Sequence, residues 1–306
     1  MFSIFVNDLP FFFNDCQFLL YADDLKLYLR IKSIEDCIKL QKDTQILTKW
    51  CDDNKLELNI DKCKIFTFNL KFQTINYVYF LNGHVLQRVN KIKDLGVIFD
   101  NHLKFNFHIE DITNKSLRNL GFIIRNTKYF NNLNVIRYLY ISIVRPKLEY
   151  CSEIWSPYYE KYIDQLENVQ KKFVKYLCYK SNIEFHRCDY NQLLLKFNLE
   201  SFKERRIKKD CFLTFKIINN LINSSTIISQ LTINNPHYET RKCNLLCTKH
   251  YNTVTTYNSP INRMSNNFNN YPPNLNPYTI DTLKSLTLNK YKKLVGLAVE
   301  SSENFL

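Results

Sequence analysis

The spacing of apolar residues changes near residue 108, and this change constrains the fold more than any other feature of the sequence. Before it, apolar and polar residues alternate in short runs, the two-residue period of half-buried strands. After it, apolar residues recur every three or four positions, the period of one face of an α-helix. The sequence therefore predicts an α+β fold, with a strand-rich first part and a helical second part. The first helical positions are Ile109, Ile112, Leu117, Leu120 and Ile124.

A β-hairpin is predicted close to the start of the chain. In residues 16–30, Leu25, Leu27 and Leu29 alternate with polar partners, and a tight turn precedes them. This pattern places Ala22, Asp23 and Asp24 at or beside the hairpin tip.

More strands and one helix are predicted before residue 108. Strand patterns cover 56–69, flank Asn82-Gly83 and continue through 95–100. Ser33 has the character of a helix N-cap with an acidic residue three positions later, and the helix after it should end before Asn54.

The second part is predicted to be helical as far as about residue 222. Beyond the first helix, helical patterns cover 134–145, 161–178 and 201–221. Nine Asn residues and several Pro residues then fall within 252–277, which favours irregular structure. One last helix is predicted near 281–295. We therefore expect three regions, 1–100, 101–222 and 223–306.

The net charge of +13 is distributed unevenly along the chain. Residues 1–60 carry a net charge of −3 and the remainder carries +16. An acidic segment followed by a basic body is typical of a cation site joined to a surface that binds a polyanion. The alternative is an ordinary solvated, charged exterior.

The ten Cys residues occur without a recognisable secretion signal, because the first residues lack a basic segment and their apolar runs are interrupted by Asp8 and Asp15. We therefore expect reduced thiols and a location in the cytoplasm or nucleus, not secretion. No apolar run approaches the ~20 residues that cross a bilayer, so membrane insertion is not expected.

The adjacent carboxylates of Asp23 and Asp24 carry the clearest chemical signal. Carboxylates at a hairpin tip can hold divalent cations through hard oxygen ligands. Nucleotidyl transfer needs two such ions ~4 Å apart, one at the attacking hydroxyl and one at the leaving group. The alternative is an ordinary acidic turn.

The segment Tyr21-Ala22-Asp23-Asp24 resembles the Y-x-D-D signature of reverse transcriptases, and other motifs of that family follow in order. FSIFVNDLP lies upstream of it. Downstream lie Gln41, Trp50, the block LELNIDK that contains Lys62, and LGVIFD, which is similar to the primer-grip motif and contains Gly96. The resemblance spans about residues 1–220.

Blocks in the helical part are similar to the LINE-type, Jockey-like group of non-LTR retrotransposons. They are ISIVRPKLEYCSEIWSP at 141–157, LENVQKKFVKYL at 166–177 and LESFKERR at 199–206. The resemblance implies a reverse-transcriptase palm, an antiparallel sheet with helices, followed by a helical thumb and a partly irregular C-terminal region.

The resemblance also implies an activity, RNA-directed DNA synthesis with Mg²⁺ or Mn²⁺. Its partners would be an RNA template, a DNA primer and deoxynucleoside triphosphates. Asp23 and Asp24 would bind the metal ions, Lys62 would be a general acid toward pyrophosphate, and Tyr21 and Gly96 would lie at the primer.

Basic residues of the later helices are candidates for phosphate contacts, which add salt-sensitive attraction without sequence preference. A solvated basic face is the alternative for any single one of them. The candidates are Lys171, Lys172, Lys175, Arg205, Arg206, Lys208 and Lys209.

The sequence departs from a complete enzyme of this family, in which an endonuclease, fingers and an earlier palm strand with another catalytic Asp come before the hairpin. Asp8 and Asp15 are not credible substitutes for that residue. We therefore expect a fragment that is inactive alone, whose upstream part is lost or is absent from the gene prediction. The alternatives are a catalytically inactive RNA- or DNA-binding remnant and a chain that cannot fold stably.

A zinc site is not expected. His237, Cys243, Cys247 and His250 match no common zinc-finger spacing, and the grouping of Cys178, His186 and Cys188 is weaker still.

Overall fold

A computed structural model describes residues 5–68, 75–186, 189–234, 244–248, 251 and 253–270. The chain divides into two compact units, Met1–His108 and Ile109–Leu306. The change of apolar spacing near residue 108 thus coincides with the boundary between the units.

The described strands of the first unit form two-stranded ladders. Three ladders are antiparallel hairpins, β1 with β2, β4 with β5, and β7 with β8, while β3 and β6 pair in parallel. The predicted hairpin at 16–30 and the predicted strands beside Asn82-Gly83 are confirmed. The strand predicted through 95–100 begins only at Val97, because Leu95 and Gly96 form the turn that precedes it. The strands are β1 (Gln17–Tyr21), β2 (Asp24–Tyr28), β3 (Lys64–Phe66), β4 (Phe80–Leu81), β5 (His84–Val85), β6 (Gln87–Val89), β7 (Lys91–Asp94) and β8 (Val97–Asp100).

Helix α1 (Ile34–Asp53) contributes side chains to two apolar clusters of the first unit. The N–H of Ser33 donates to Asp36 Oδ2 at 3.1 Å, a capping-box contact that satisfies one of the free donors at the helix start. The helix ends at Asp53, and both predicted ends are therefore confirmed. Its buried side chains Trp50 and Cys37 belong to separate apolar clusters.

The predicted strand over 56–69 is too long. Residues 56, 58 and 60 are half-buried and residues 57 and 59 are exposed, so the alternation is correct as a pattern of burial. However, the Lys62 N–H donates to the Asn59 carbonyl at 3.1 Å in a turn, and only β3 joins a ladder. Packing of Leu58 against both apolar clusters explains the alternation without strand pairing.

Helices form the second unit, and α2 begins just before the unit boundary. The helices predicted at 134–145, 161–178 and 201–221 are confirmed to within about one turn. A π-helical segment, Tyr140–Val144, joins α3 to α4. The helices are α2 (Asn106–Asn126), α3 (Leu133–Leu139), α4 (Arg145–Glu149), α5 (Ser152–Trp155), α6 (Glu160–Lys180), α7 (Tyr190–Lys196), α8 (Phe202–Ile218), α9 (Ser225–Ile228), α10 (Val254–Tyr257) and α11 (Pro260–Asn270).

The core of the second unit contains a buried polar network beside stacked rings. Tyr140 stacks on Phe173 with ring centroids 3.9 Å apart, and the Tyr140 hydroxyl donates to Gln170 Oε1 at 3.2 Å. The Gln170 amide donates to the Glu200 carbonyl at 2.9 Å, and Tyr190 donates to Glu167 Oε1 at 2.6 Å. Hydrogen bonds of this kind allow polar groups to lie in an apolar interior.

Helix α11 corrects the prediction that 252–277 is irregular. Pro260 is the first residue of the helix, where a backbone N–H has no intrahelical acceptor, so proline costs no hydrogen bond there. Met264 lies on the buried face of the helix. Arg263 Nε donates to Asp210 Oδ2 at 3.0 Å, which attaches α11 to α8. The helix predicted near 281–295 lies outside the described residues.

Among the described residues, the structure contains no helix whose length and hydropathy suit a membrane span.

Candidate active site

The acidic pair lies at the tip of the β1–β2 hairpin. Tyr21 and Asp24 are the last ladder pair, so the loop consists of Ala22 and Asp23. Ala22 has φ +54°, a left-handed conformation that costs a residue with a Cβ about 1–2 kcal/mol. Asp23 and Asp24 are both exposed, as is 66% of Tyr21. Two carboxylates are therefore open to solvent on a turn of fixed register.

A buried carboxylate on α1, which the sequence did not reveal, holds the segment that enters this hairpin. Asp43 is fully buried and accepts the backbone N–H groups of Asn14 at 3.2 Å, Asp15 at 3.1 Å and Cys16 at 2.7 Å. Cys16 directly precedes β1. Asp43 is thus a positioning residue for the acidic hairpin.

The ionisation of Asp43 reflects these contacts. Burial alone opposes its ionisation, but the hydrogen bonds from Cys16, Asn14 and Asp15 outweigh burial, and the pKa of Asp43 is lowered. Burial and the neighbouring Asp43 raise the pKa of the Cys16 thiol to about 12, so this thiol stays protonated and can donate to the carboxylate.

Replacing Asp43 with Ala is expected to destabilise the first unit by about 3 kcal/mol, because three backbone donors lose their acceptor. A lowered native pKa stabilises the fold at pH values above the ordinary aspartate pKa of about 3.9, and this stabilisation disappears as the pH falls through the native value. Asp43→Asn should therefore flatten the acid limb of a plot of denaturation midpoint against pH. Asp52→Asn, on the exposed side of the same helix, should leave that limb unchanged; an equal effect of both variants would contradict the assignment.

A second hairpin lies beside the acidic one. Lys26 of β2 forms an ion pair with Asp94 of β7, with Nζ and Oδ1 2.7 Å apart. Asp94 and Val97 close a two-residue turn in which Leu95 has φ +42° and Gly96 has φ +88°. Gly96 suits this position because it has no Cβ to be strained by a positive φ. The ion pair therefore brings the Gly96 turn and the acidic hairpin together.

Lys62 is exposed in the turn before β3. No hydrogen bond or ion pair joins it to Asp23 or Asp24 within the described parts of the chain, so its suggested role as a general acid stays a prediction.

Gln41 has a structural role that its place in the sequence motif did not indicate. Its side-chain amide donates to the Phe80 carbonyl at 2.9 Å and accepts the Phe80 N–H at 2.8 Å. These two bonds attach α1 to β4. The amide of Gln41 pairs with the N–H and the carbonyl of Phe80, as the backbone of a neighbouring strand would. Gln41 and Asp43 thus attach one helix to two separated segments of the first unit.

The basic candidates of the second unit fall into exposed and paired groups. Lys172 and Lys175 are exposed, and Lys171 is half-buried with Nζ 5.5 Å from the Tyr190 ring centre. Arg205 forms a two-point ion pair with the buried Glu149.

Lys208 and Lys209 are also engaged within the fold. Lys208 pairs with Glu200, and Lys209 donates to the Glu149 carbonyl at 2.6 Å. These contacts attach α8 to α4 and to the segment before α8, so they give both lysines a structural function.

Arg206 does not fit the expected contact with phosphate. Only 4% of this residue is exposed, because it lies on the face of α8 that also carries the buried Phe202 and Asp210. Burial lowers the pKa of Arg206 to about 10, against the opposing effect of Glu167. A basic run in the sequence therefore contains one residue that belongs to the core.

A furrow lies between α2 and α6 in the second unit. The two helices run in the same direction, because Thr113 and Gln165 line one end while Thr127 contacts Tyr176, 2.8 Å away, at the other. The furrow includes a cavity of about 380 Å³. The cavity is lined by polar and basic side chains and by the apolar Leu117 and Val169; the polar and basic ones are Thr113, Asn114, Lys161, Gln165, Asn168 and Lys172.

Three of the seven candidate zinc ligands, Cys178, His186 and Cys247, lie among the described residues. His237, Cys188, Cys243 and His250 lie outside the described residues. Cys178 is buried, and the described residues contain no group of three or more His, Cys, Asp or Glu side chains arranged for a metal ion. The acidic hairpin offers two carboxylates, which are hard oxygen donors of the kind that Mg²⁺ accepts.

Parts of the chain are similar to known proteins. Residues 1–128 match the family described as reverse transcriptase (RNA-dependent DNA polymerase). The RNA-directed DNA polymerase from mobile element jockey of Drosophila melanogaster is 25% identical over 187 residues, which are 57% of this chain and 20% of that protein. An uncharacterized protein of Caenorhabditis elegans is 28% identical over 118 residues, 39% of this chain and 58% of that protein. The chain thus spans only part of each relative's length, and no solved structure matches it.

Proposed function

We propose that the chain acts in RNA-directed DNA synthesis by a non-LTR retrotransposon, because residues 1–128 match the reverse transcriptase family and the chain is similar to a mobile-element polymerase. The observation that carries this proposal is the pair of exposed carboxylates, Asp23 and Asp24, on a hairpin whose entry is fixed by Asp43.

The acidic hairpin contributes one side of a two-metal site. Two adjacent carboxylates on one turn can hold divalent ions from one direction, whereas bracketing two ions requires ligands from a second segment. The described ladder of the hairpin contains only β1 and β2, so each strand has an edge at which another strand can pair. A palm strand that bears a further Asp and pairs at such an edge would complete the site.

The side chains around the site have separable roles. Mg²⁺, when bound, would supply the positive charge that activates the primer hydroxyl and stabilises the leaving pyrophosphate. Asp23 and Asp24 would hold it, Tyr21 and the Gly96 turn would lie along the primer, and Lys62 would donate a proton to the pyrophosphate. Positioning and electrostatic stabilisation account for most of the rate in phosphoryl transfer, so the fixed hairpin register is part of the catalytic function.

The direct test is extension of a DNA primer on an RNA template. We expect no extension by the 306-residue chain alone, and Mg²⁺-dependent extension when the palm and fingers of a related element are fused to it or added. Nucleic-acid binding with no extension in either case would identify the chain as a catalytically inactive binding remnant.

The furrow between α2 and α6 is the proposed contact for template and primer phosphates. Lys161 and Lys172 line its cavity, and Lys175 continues the exposed side of α6 one turn further. Each lysine that contacts a phosphate releases a counterion from the nucleic acid, so binding should weaken steeply as salt is added.

Replacing Lys172 and Lys175 together with Ala should weaken binding uniformly across sequences. It should also reduce the slope of log affinity against log salt by about 0.7–0.9 per lysine. The matched control is Lys42 and Lys49 together, two exposed lysines of α1 whose removal changes the net charge equally. Filter binding at several salt concentrations measures both quantities. Equal effects of the two pairs would mean that overall charge, not the furrow, determines binding.

A further inference from the structure

A loop at one end of the furrow is fixed rigidly to α6. This loop, residues 127–132, joins α2 to α3. The Tyr176 hydroxyl bonds to the Thr127 hydroxyl at 2.8 Å and donates to the Thr127 carbonyl at 3.2 Å. Lys180 Nζ donates to the carbonyl of Lys128 and, at 3.1 Å, to that of Phe130. These contacts restrict the backbone before any ligand binds.

The fixed loop presents aromatic rings to solvent. Tyr129 is 86% exposed and Phe130 is 43% exposed. Tyr179, next to Lys180 at the same end of α6, is 77% exposed. Tyr129 and Tyr179 bury little area in this fold, so they contribute little to its stability and are available to a ligand.

Two lysines lie at the loop that carries these rings. Lys128 Nζ lies 5.6 Å from the centre of the Tyr129 ring, and Lys180 Nζ lies 6.0 Å from that of Tyr176. Aromatic faces interleaved with cations favour a ligand that has both flat apolar surfaces and anionic groups.

We propose that this aromatic cluster, formed by Tyr129, Phe130 and Tyr179 with Lys128 and Lys180, binds unpaired nucleotides of an RNA or DNA strand. The faces of paired bases are hidden by stacking within a duplex, so a ring gains stacking energy only from an unpaired base. The cluster therefore selects single strands, whereas the furrow contacts phosphates of either form. This inference rests on the proposed nucleic-acid binding of the same unit.

The test compares the full chain with Tyr129→Ala, Tyr179→Ala and the double variant. The probes are a single-stranded oligonucleotide and a fully paired duplex of equal length. Each substitution should weaken single-strand binding about tenfold, within the range measured for loss of one base–aromatic stack, and should leave duplex binding and the salt slope unchanged. Tyr129→Phe should keep wild-type affinity, because it retains the ring. Tyr257→Ala, at another exposed tyrosine, should have no effect.

Several outcomes would overturn this inference. Equal loss of single-strand and duplex binding would assign the cluster to general phosphate contact, and no change in binding would mean that another occupant covers the rings. A change of oligomeric state in place of affinity would identify a contact between copies of the chain. If the wild-type chain binds neither probe, the proposed function fails as well, so the two failures are distinguishable. Tyr129 is exposed enough that its variants should keep the wild-type melting temperature.

Discussion

Replacing Asp23 with Ala is expected to abolish primer extension by the chain when it is complemented with the palm and fingers of a related element. The loss should be about 10³-fold or more, because the carboxylate that positions the catalytic cations against the developing charge is removed. Asp23 lies in an exposed two-residue loop, so its replacement should leave the β1–β2 ladder and the thermal stability unchanged. The measurement is incorporation of deoxynucleotides on a homopolymer RNA template with Mg²⁺ or Mn²⁺.

The control for this experiment is Asp15→Ala, which removes the same charge from an exposed side chain that precedes the hairpin. Its backbone N–H still donates to Asp43, so the entry to the hairpin is preserved. We expect near wild-type extension from this variant. Extension that survives Asp23→Ala would come from another enzyme in the preparation, and extension by the 306-residue chain alone that Asp23→Ala removes would refute the need for a second segment.

The β1–β2 hairpin could be predicted because its determinants are local. Residues that pair across it are close in sequence, and alternation of apolar side chains sets the register. The roles of Gln41 and Asp43 were not predictable in this way. Their partners lie 39 and 27 residues away. Because these side chains bond to backbone groups, the bonds do not require any particular residue type at the partner position, so the sequence gives no sign of them.

The burial of Arg206 shows where a correct pattern received the wrong interpretation. The run of basic residues at 205–209 suggested an exposed face, yet Phe202, Arg206 and Asp210 are spaced four apart and share the buried face of α8. Helical spacing read together with Phe202 could have identified Arg206 as a core residue. Similarly, Pro260 in a first-turn position and the apolar Ile261 and Met264 were signals for α11, which the abundance of Asn concealed.

The second large effect is expected in the core of the helical unit, where Gln170→Ala should lower the free energy of unfolding by roughly 3–5 kcal/mol. Gln170 is fully buried and links Tyr140, Glu167 and Glu200 through its amide. Truncation would leave the Tyr140 hydroxyl and the Glu200 carbonyl without this partner in an interior that water does not reach, and each such group costs about 1–3 kcal/mol.

The size of this effect depends on the charge that the network holds. Burial, and then the negative charge of Glu167, raise the pKa of the Tyr190 hydroxyl, so this hydroxyl stays protonated and donates to the carboxylate. Gln170 adds a second donor to the same carboxylate oxygen, at 3.2 Å, and its loss would leave a buried anion with less compensation. Urea denaturation followed by circular dichroism measures the loss, and Gln165→Ala in the furrow of the same helix is the matched control, expected to change stability by less than about 0.5 kcal/mol. Equal and small losses in both variants would show that the network does not stabilise the helical unit.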